Sequence, residues 1–434
     1  MQDVIFVPQV DIHHQRKAIL YSDARATLEA NEVSNMAGGE EHLAYLTGAK
    51  QGATSLLAKL RWLDKHQPRA FDECQSVLIG GHDYVTWRLC HRCVTDATTA
   101  STTGLTDCFG QYAETLLQDL GLDHWRHKLP PITSVEVPCG RVSKEAAEEL
   151  GDLNLQGIPV LHCCGDNGAC SLGAGAGSLG ALYAYLGTSG WVAGSFSRCL
   201  QKSKELLVPG VFTLAHPDPS LVFKTGSIMT AGGNIAWAAS NLQKLGRSEK
   251  ISWETVDQQA AQASLGSRGL LYLPYLNGER CPFEDPDARA AFIGISTLVS
   301  SAEMYRSVME GVSFALLAAS EAMISLPETG PLRLVGGGAR SPIWSIILAN
   351  IFGKTVDVLE DAQNVGVKGA AILAGKWLGW HDTLSPSGEW LRIKTSISPC
   401  PKSIEKYQEL FGAYKTAYLG LQETFRLLAK YTEP

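Results

Sequence analysis

No stretch of this 434-residue chain approaches the run of about 18 apolar residues that a membrane-spanning helix requires. Positive charge is also in short supply. With 37 Lys and Arg against 44 Asp and Glu, the formal net charge is −7. That leaves no basic face for the phosphates of a nucleic acid or an anionic membrane. Both are excluded as partners, and small molecules become the default. The eleven cysteines lack pattern: an odd number without regular spacing is no disulfide framework and points to a reducing compartment. Cys90 and Cys93 in "CHRC" have the spacing of a metal knuckle, but no second pair accompanies them. A structural zinc site takes four ligands, so no metal site is read. The opening "MQDVIFVPQVDIHHQRKAIL" has no basic segment followed by a long apolar one, so no secretory leader is read and a cytoplasmic location is expected. Repeats of fixed period and low-complexity tracts are missing too, which removes solenoids and propellers.

What is present is core and alternation. A chain of this length with 45% hydrophobic and 19% charged residues can bury a large interior, more readily as two domains than as one. "DVIFV" and "KAILYS" read as short strands around a polar turn. Residues 26–36 read as a helix with Leu28 and Val33 on one side. Residues 53–66 place Leu56, Leu57, Leu60 and Leu63 at helical spacing, with Pro68 as a stop. "SLVFKTGS", "GLLYLPYL" and "LRLVGGG" are short apolar strands ending in small residues. Helices are predicted over 302–325, 342–352, 366–378 and 403–429. In the last of these, Tyr407, Phe411, Tyr414 and Tyr418 form a stripe expected to face the core. The fold class is therefore α/β, with glycine turns at strand ends where such sheets bind ligands.

The densest glycine region runs from Cys163 to Gly194. "GIPVLHCC" is strand-like and ends at "GDN", after which small residues open a helix. "ALYAYLGTSGWVAG" reads as two strands, 182–186 and 191–193, joined by Gly187, Thr188, Ser189 and Gly190. "GAGSLG" at 175–180 has dinucleotide-turn spacing. It follows a helix and leads into a strand, however, the reverse of the context such a turn needs, so a nicotinamide-dependent oxidoreductase is the weakest reading. "LGTSG" suits a phosphate better than "GAGSLG" does, because freed N–H groups and two hydroxyls can converge on an anion, although in isolation a plain tight hairpin is the better account of it. "TAGGNIAW" (230–237) and "LVGGGARSPIW" (334–344) each set glycines between a strand and a helix, as at a helix N-terminus facing a nucleotide.

These residues carry a family resemblance. "AAFIGISTLVSSAEMYRSVME" (290–310) fits throughout the second signature of the FGGY carbohydrate kinases, and the likeness runs from about Lys17 almost to the C-terminus. Read from the residues alone, the same run is a strand end, a loop and a helix opened by a Ser300/Glu303 capping box. "YLPYLNGERCPFEDPDARAAF" (272–292) is similar to the xylulokinases of that family, "VTDATTAS" (94–101) to its N-terminal-domain turn, and "YSDARA" (21–26) to its sugar-side run. The first signature is kept at 59–66 but departs at Thr54 and Leu56.

The resemblance implies two actin-like ATPase domains of the ribonuclease H-like class, divided near Ala176 (1–176 and 177–434), with a cleft between them. It implies ATP and Mg²⁺, a ketose substrate with D-xylulose foremost, Asp166 as general base, and Asn167, Asp23 and Arg25 on the sugar. Gly187, Thr188, Ser189 and Gly190 match its phosphate loop. Gly232, Gly233, Asn234, Gly336, Gly337, Gly338, Ala339 and Asn364 match its nucleoside pocket. A homodimer is left open. The family's D-x-G-[ST] run occurs nowhere in these residues, so the first domain is expected to be incomplete at its start. A non-catalytic sugar- or nucleotide-binding relative therefore stays beside the kinase as an alternative.

Overall fold

A computed structural model describes residues 3–8, 16–20, 22–198, 208–243, 252–323 and 330–431. Tyr21 of the sugar-side run, the turn at 9–15, and Ile324 and Ser325 at the end of the long predicted helix lie outside them.

The first region strings together β1 (Ile5–Pro8), α1 (Thr27–Met36), α2 (Glu40–Thr47), α3 (Leu56–His66), α4 (Arg69–Glu73), β2 (Cys74–Leu78) and α5 (Gly81–Cys90). It continues with β3 (Thr95–Asp96), α6 (Ala97–Ala100), α7 (Glu114–Asp119), β4 (Ile132–Thr133), β5 (Pro138–Arg141), α8 (Lys144–Glu149), β6 (Pro159–Leu161) and α9 (Gly165–Gly173). Its strands pair only two at a time. α3 forms where predicted: Ser55 caps its N-terminus, and Leu56, Leu57, Leu60 and Leu63 are all buried in the local core. In α1, by contrast, Val33 is buried and Leu28 is 77% exposed. The two positions are five residues apart, 500° of rotation at 3.6 residues per turn, so they cannot share a narrow face.

The second region holds β7 (Leu182–Leu186), β8 (Gly190–Ser197), β9 (Val211–Ala215), β10 (Leu221–Ile228), α10 (Gly232–Gln243), α11 (Trp253–Gln262), β11 (Leu271–Leu273) and β12 (Ala291–Ile293). α12 (Ser301–Glu321), β13 (Leu332–Val335), α13 (Pro342–Phe352), β14 (Val356–Leu359), α14 (Val365–Trp377), β15 (Ile393–Ile397) and α15 (Pro401–Ala429) complete it. Seven strands form one sheet in the order β15-β14-β13-β7-β8-β10-β9. β13 is parallel to both β7 and β14, whereas β8 runs antiparallel to β7 and to β10. β7, β10, β13 and β14 therefore all end at the same edge. The turns after them, which carry the glycine clusters, gather there.

α12 packs across this sheet. Its start is the predicted capping box, with the Ser300 N–H and hydroxyl both on the Glu303 carboxylate. Gly311 and Gly226 allow close approach, since a Cβ on Gly226 would lie 2.7 Å from the Ala319 carbonyl oxygen. Glu310 accepts hydrogen bonds from the Gly266 N–H (3.0 Å), the Ser267 hydroxyl (2.8 Å) and the Tyr407 hydroxyl (2.7 Å), and its own Arg306 lies at 2.9 Å. α15 is thereby fastened to α12 with Tyr407, Phe411, Tyr414 and Tyr418 buried. Among the described residues no helix is long and apolar enough to cross a membrane, and the ten described cysteines are free thiols.

Candidate active site

The turn joining β7 to β8 is the centre of the site. Its Gly187 carbonyl accepts from the Gly232 N–H at 2.8 Å, and its Thr188 carbonyl accepts from the N–H groups of Ala231 (2.8 Å) and Gly233 (3.0 Å). The head of α10 is thus bonded to the turn. The N–H groups of Gly232 and Gly233 are engaged inside the protein, and a Cβ on Gly232 would lie 2.5 Å from the Gly187 carbonyl oxygen. Thr188 and Ser189 differ: among the described residues, neither their N–H groups nor their hydroxyls make a hydrogen bond. Two successive uncommitted N–H groups with two hydroxyls are the donor set of an anion cradle.

Gly336, Gly337, Gly338 and Ala339 wrap the end of β7. A Cβ on Gly336, whose φ is +90°, would lie 2.6 Å from the Leu186 carbonyl oxygen, so only glycine fits. The Gly336 N–H donates to the Ala362 carbonyl (2.9 Å), which ties the loop preceding α14 to the same place and leaves Asn364 exposed beside it. Asn234 is a correction to the expected pocket. It is wholly buried, its Nδ2 donating to the carbonyls of Thr230 and Pro274 and its Oδ1 accepting from the Tyr272 hydroxyl. It positions the turn before α10 and has no side-chain atom left for a nucleoside.

Asp166 is the second residue of α9, inside the helix rather than on a turn ahead of it. Gly165 makes this entry with φ +63°, and a Cβ there would lie 2.6 Å from the Thr99 hydroxyl. Asp166 is exposed, in the first turn of the helix. Asn167 does not point freely outward: its Nδ2 donates to the Thr225 hydroxyl on β10 at 3.1 Å. Thr225 stands three residues before Ile228, which pairs with Gly190, so Asn167 is anchored on the same strand that ends beside the turn.

A chain of hydrogen bonds joins the two places. Trp191 Nε1 donates to the Tyr183 hydroxyl (2.9 Å), which meets the Ser171 hydroxyl (3.1 Å), and that hydroxyl donates to the Asn167 carbonyl (2.8 Å). Burial holds the Tyr183 hydroxyl protonated far above the usual phenol range. Sequence reasoning missed Tyr183, Ser171 and Thr225, because an aromatic or hydroxyl residue in a strand carries no signal until its neighbours are known.

Asp23 and Arg25 are engaged with each other and with Trp62. They pair with each other at 2.6 Å, which holds the Asp23 carboxyl down to about 2, and Arg25 lies over the Trp62 ring at 4.9 Å. Arg25 also borders a cavity of about 300 Å³ with Phe6, Arg16 and Gln67. Among the described residues, none of these contacts reaches α9 or the glycine turns. "GAGSLG" follows α9 and leads into β7, as the failed dinucleotide context requires.

Comparisons with known proteins identify the family. Residues 1–173 match the FGGY family of carbohydrate kinases, N-terminal domain, and residues 182–377 match its C-terminal domain. The chain is 28% identical over 408 residues to a xylulose kinase of Staphylococcus epidermidis, covering 93% of this chain and 78% of that one. It is 29% identical over 427 residues to an erythritol kinase of Brucella abortus, covering 95% and 80%. The crystal structure of a ligand-bound xylulose kinase from Lactobacillus acidophilus superposes with a TM-score of 0.86 at 24% identity, covering 99% of this chain and 84% of that one.

Proposed function

We propose, from the premise that this chain belongs to the FGGY family of carbohydrate kinases, that it transfers the γ-phosphoryl group of ATP to a hydroxyl of a ketose, D-xylulose foremost. The observation that carries the reading is the uncommitted donor set of Thr188 and Ser189, joined by hydrogen bonds through Trp191, Tyr183 and Ser171 to the helix head that bears a carboxylate. The first suits phosphates and the second suits a hydroxyl.

In this reading the Asp166 carboxylate accepts the proton of the attacking hydroxyl. The bond from that oxygen to the γ-phosphorus forms as the bond to the β,γ-bridging oxygen breaks, and ADP leaves. Thr188 and Ser189 hold phosphate oxygens, the 336–339 run and Asn364 border the nucleoside, and Asn167, braced by Thr225, limits where the sugar can sit. The hydroxyls of Thr188 and Ser189 are hard oxygen donors and fit an Mg²⁺ held mainly by phosphate oxygens and water. When bound, that ion neutralises charge on the β- and γ-phosphates. The domain boundary falls near Ala176, between the two matched regions, and the protein works in the cytoplasm, where its thiols stay reduced.

The test is ADP release with Mg²⁺-ATP and a panel of D-xylulose, L-xylulose, D-ribulose, erythritol and glycerol. Release is expected with D-xylulose. Asp166→Asn is expected to lower turnover by at least about 100-fold, the usual range for a lost general base, while leaving ATP binding in place. Release with erythritol alone would move the substrate to a linear polyol. Unchanged turnover in Asp166→Asn would remove Asp166 from the chemistry.

A further inference from the structure

Beneath the head of α9 lies a cluster that the kinase reading does not use. His82 and Asp83 begin α5, Asp96 caps α6, and His162 follows β6. Asp83, Asp96 and His162 are fully buried, whereas the His82 side chain is 28% exposed. One ligand atom from each gathers within 4.8 Å of the others. Around this ring His82 Nε2 lies 3.2 Å from Asp83 Oδ1 and 3.2 Å from Asp96 Oδ2. His162 Nε2 lies 3.1 Å from Asp83 Oδ1 and 3.6 Å from Asp96 Oδ2.

Each buried member is held from behind. Asp83 Oδ2 accepts from the N–H groups of Ile79 (2.9 Å) and Gly80 (3.3 Å), His162 Nδ1 meets the Thr86 hydroxyl (2.9 Å), and Asp96 Oδ1 accepts from the Thr99 N–H (2.9 Å). That is the arrangement in which outer groups orient metal ligands. The inward atoms Asp83 Oδ1 and His162 Nε2 are wholly buried and face each other at 3.1 Å as an ion pair, but neither has a partner with hydrogen-bond geometry. Such atoms carry a desolvation penalty unless something at the centre meets them.

We propose that His82, Asp83, Asp96 and His162 form a structural site for a transition-metal dication, Zn²⁺ by preference. Bonds of about 2.0–2.1 Å in a tetrahedron give edges of about 3.3–3.4 Å, and the four nitrogen–oxygen separations around the ring are 3.1–3.6 Å. Two imidazoles and two carboxylates suit Zn²⁺, whereas Mg²⁺ demands an octahedron of oxygens. Two carboxylates balance the charge of a dication, and partly exposed His82 gives the ion a route in. Thr99, bonded to Asp96 and in contact with Gly165, connects the site to the helix head that bears Asp166. The ion would stiffen that head from below without touching substrate.

The test uses the full chain, stripped with a chelator and shown folded by circular dichroism. It is titrated with Zn²⁺ alone in equilibrium dialysis with bound metal measured by mass spectrometry, and then with Co²⁺ while the visible spectrum is recorded. One ion per chain is expected, with the intense bands of four-coordinate Co²⁺. Affinity should weaken at least about tenfold in His82→Ala and His162→Gln. His82 reaches the surface, so its removal does not depend on the core tolerating change. Cys90→Ser with Cys93→Ser should bind as the wild type does. Absence of stoichiometric uptake by the folded wild type overturns the proposal, as does uptake that survives both histidine substitutions or is lost only in the cysteine variant.

Discussion

Glu279 shows how a single residue ties stability to pH. It is buried, and its Oε1 accepts from the N–H groups of Met229 (2.9 Å) and Arg280 (2.8 Å), just ahead of the head of α10. Burial pushes its carboxyl up to about 7, against the smaller opposing pull of those N–H groups. The folded state therefore keeps a proton that the unfolded chain releases near pH 4.5. Stability from this group is complete below that value and is lost as pH rises through about 7. Calorimetry of the wild type against Glu279→Gln should show the wild type losing ground between about pH 5 and pH 8. A difference that stays level across that interval would mean that Glu279 is ionised throughout.

Between elements, glycine decides where α9 stands. A Cβ on Gly369 would collide with the Ala169 carbonyl, and one on Gly173 with the Val365 carbonyl, so α9 and α14 meet backbone to backbone. Helix propensity alone would reward Gly369→Ala by about 1 kcal/mol. Overpacking against a fixed carbonyl costs about 1–3 kcal/mol, so the packing term wins. The expected outcome is a lower thermal midpoint and, because Asp166 rides on α9, a drop in turnover greater than the loss of folded protein. A variant more stable than the wild type would show that the helices separate freely. The N-terminus of α12 makes a second prediction. Glu303→Ala removes half of the capping box and should destabilise by about 1 kcal/mol, read as a shift in denaturant midpoint with unchanged slope.

Across the whole molecule, the first region and the large sheet meet at a few defined points. The Thr98 hydroxyl donates to the Ala215 carbonyl (2.8 Å), the Ala215 N–H donates to the Ser101 hydroxyl (3.0 Å), and the Thr213 N–H donates to the Gly48 carbonyl (3.2 Å). These bonds join α6 and the loop after α2 to β9, away from the turns at the other strand ends. A ligand that binds only the folded protein at about 100 times its Kd adds about 2.7 kcal/mol. Mg²⁺-ATP should therefore raise the unfolding midpoint of the wild type and of Asp166→Asn alike, and NAD should raise neither. Equal stabilisation by NAD would return "GAGSLG" to consideration as a cofactor turn.

Local chemistry made much of this legible from sequence. Leucine spacing in α3, the Ser300/Glu303 box, the aromatic stripe of α15 and the glycine turns after β7, β10 and β13 all rest on contacts within a few residues, and the 290–310 run carried the family. Leu28, assigned to the wrong side of α1, and Asn234, assigned to the pocket rather than the core, show where that legibility stopped. The sequence by itself determined α3, α12 to α15 and the strands that end in glycine turns, and which carboxylate heads α9, whereas "KAILYS", read as a strand, carries only an isolated bridge from Ile19 to Val4. Only the tertiary structure decided that Asp23 and Arg25 pair with each other over Trp62 and that Trp191, Tyr183 and Ser171 link the turn between β7 and β8 to α9. It also brought His82, Asp83, Asp96 and His162 around one point. Those relations join residues tens of positions apart, and their geometry is set by the packing of helices and sheets, which no local periodicity encodes.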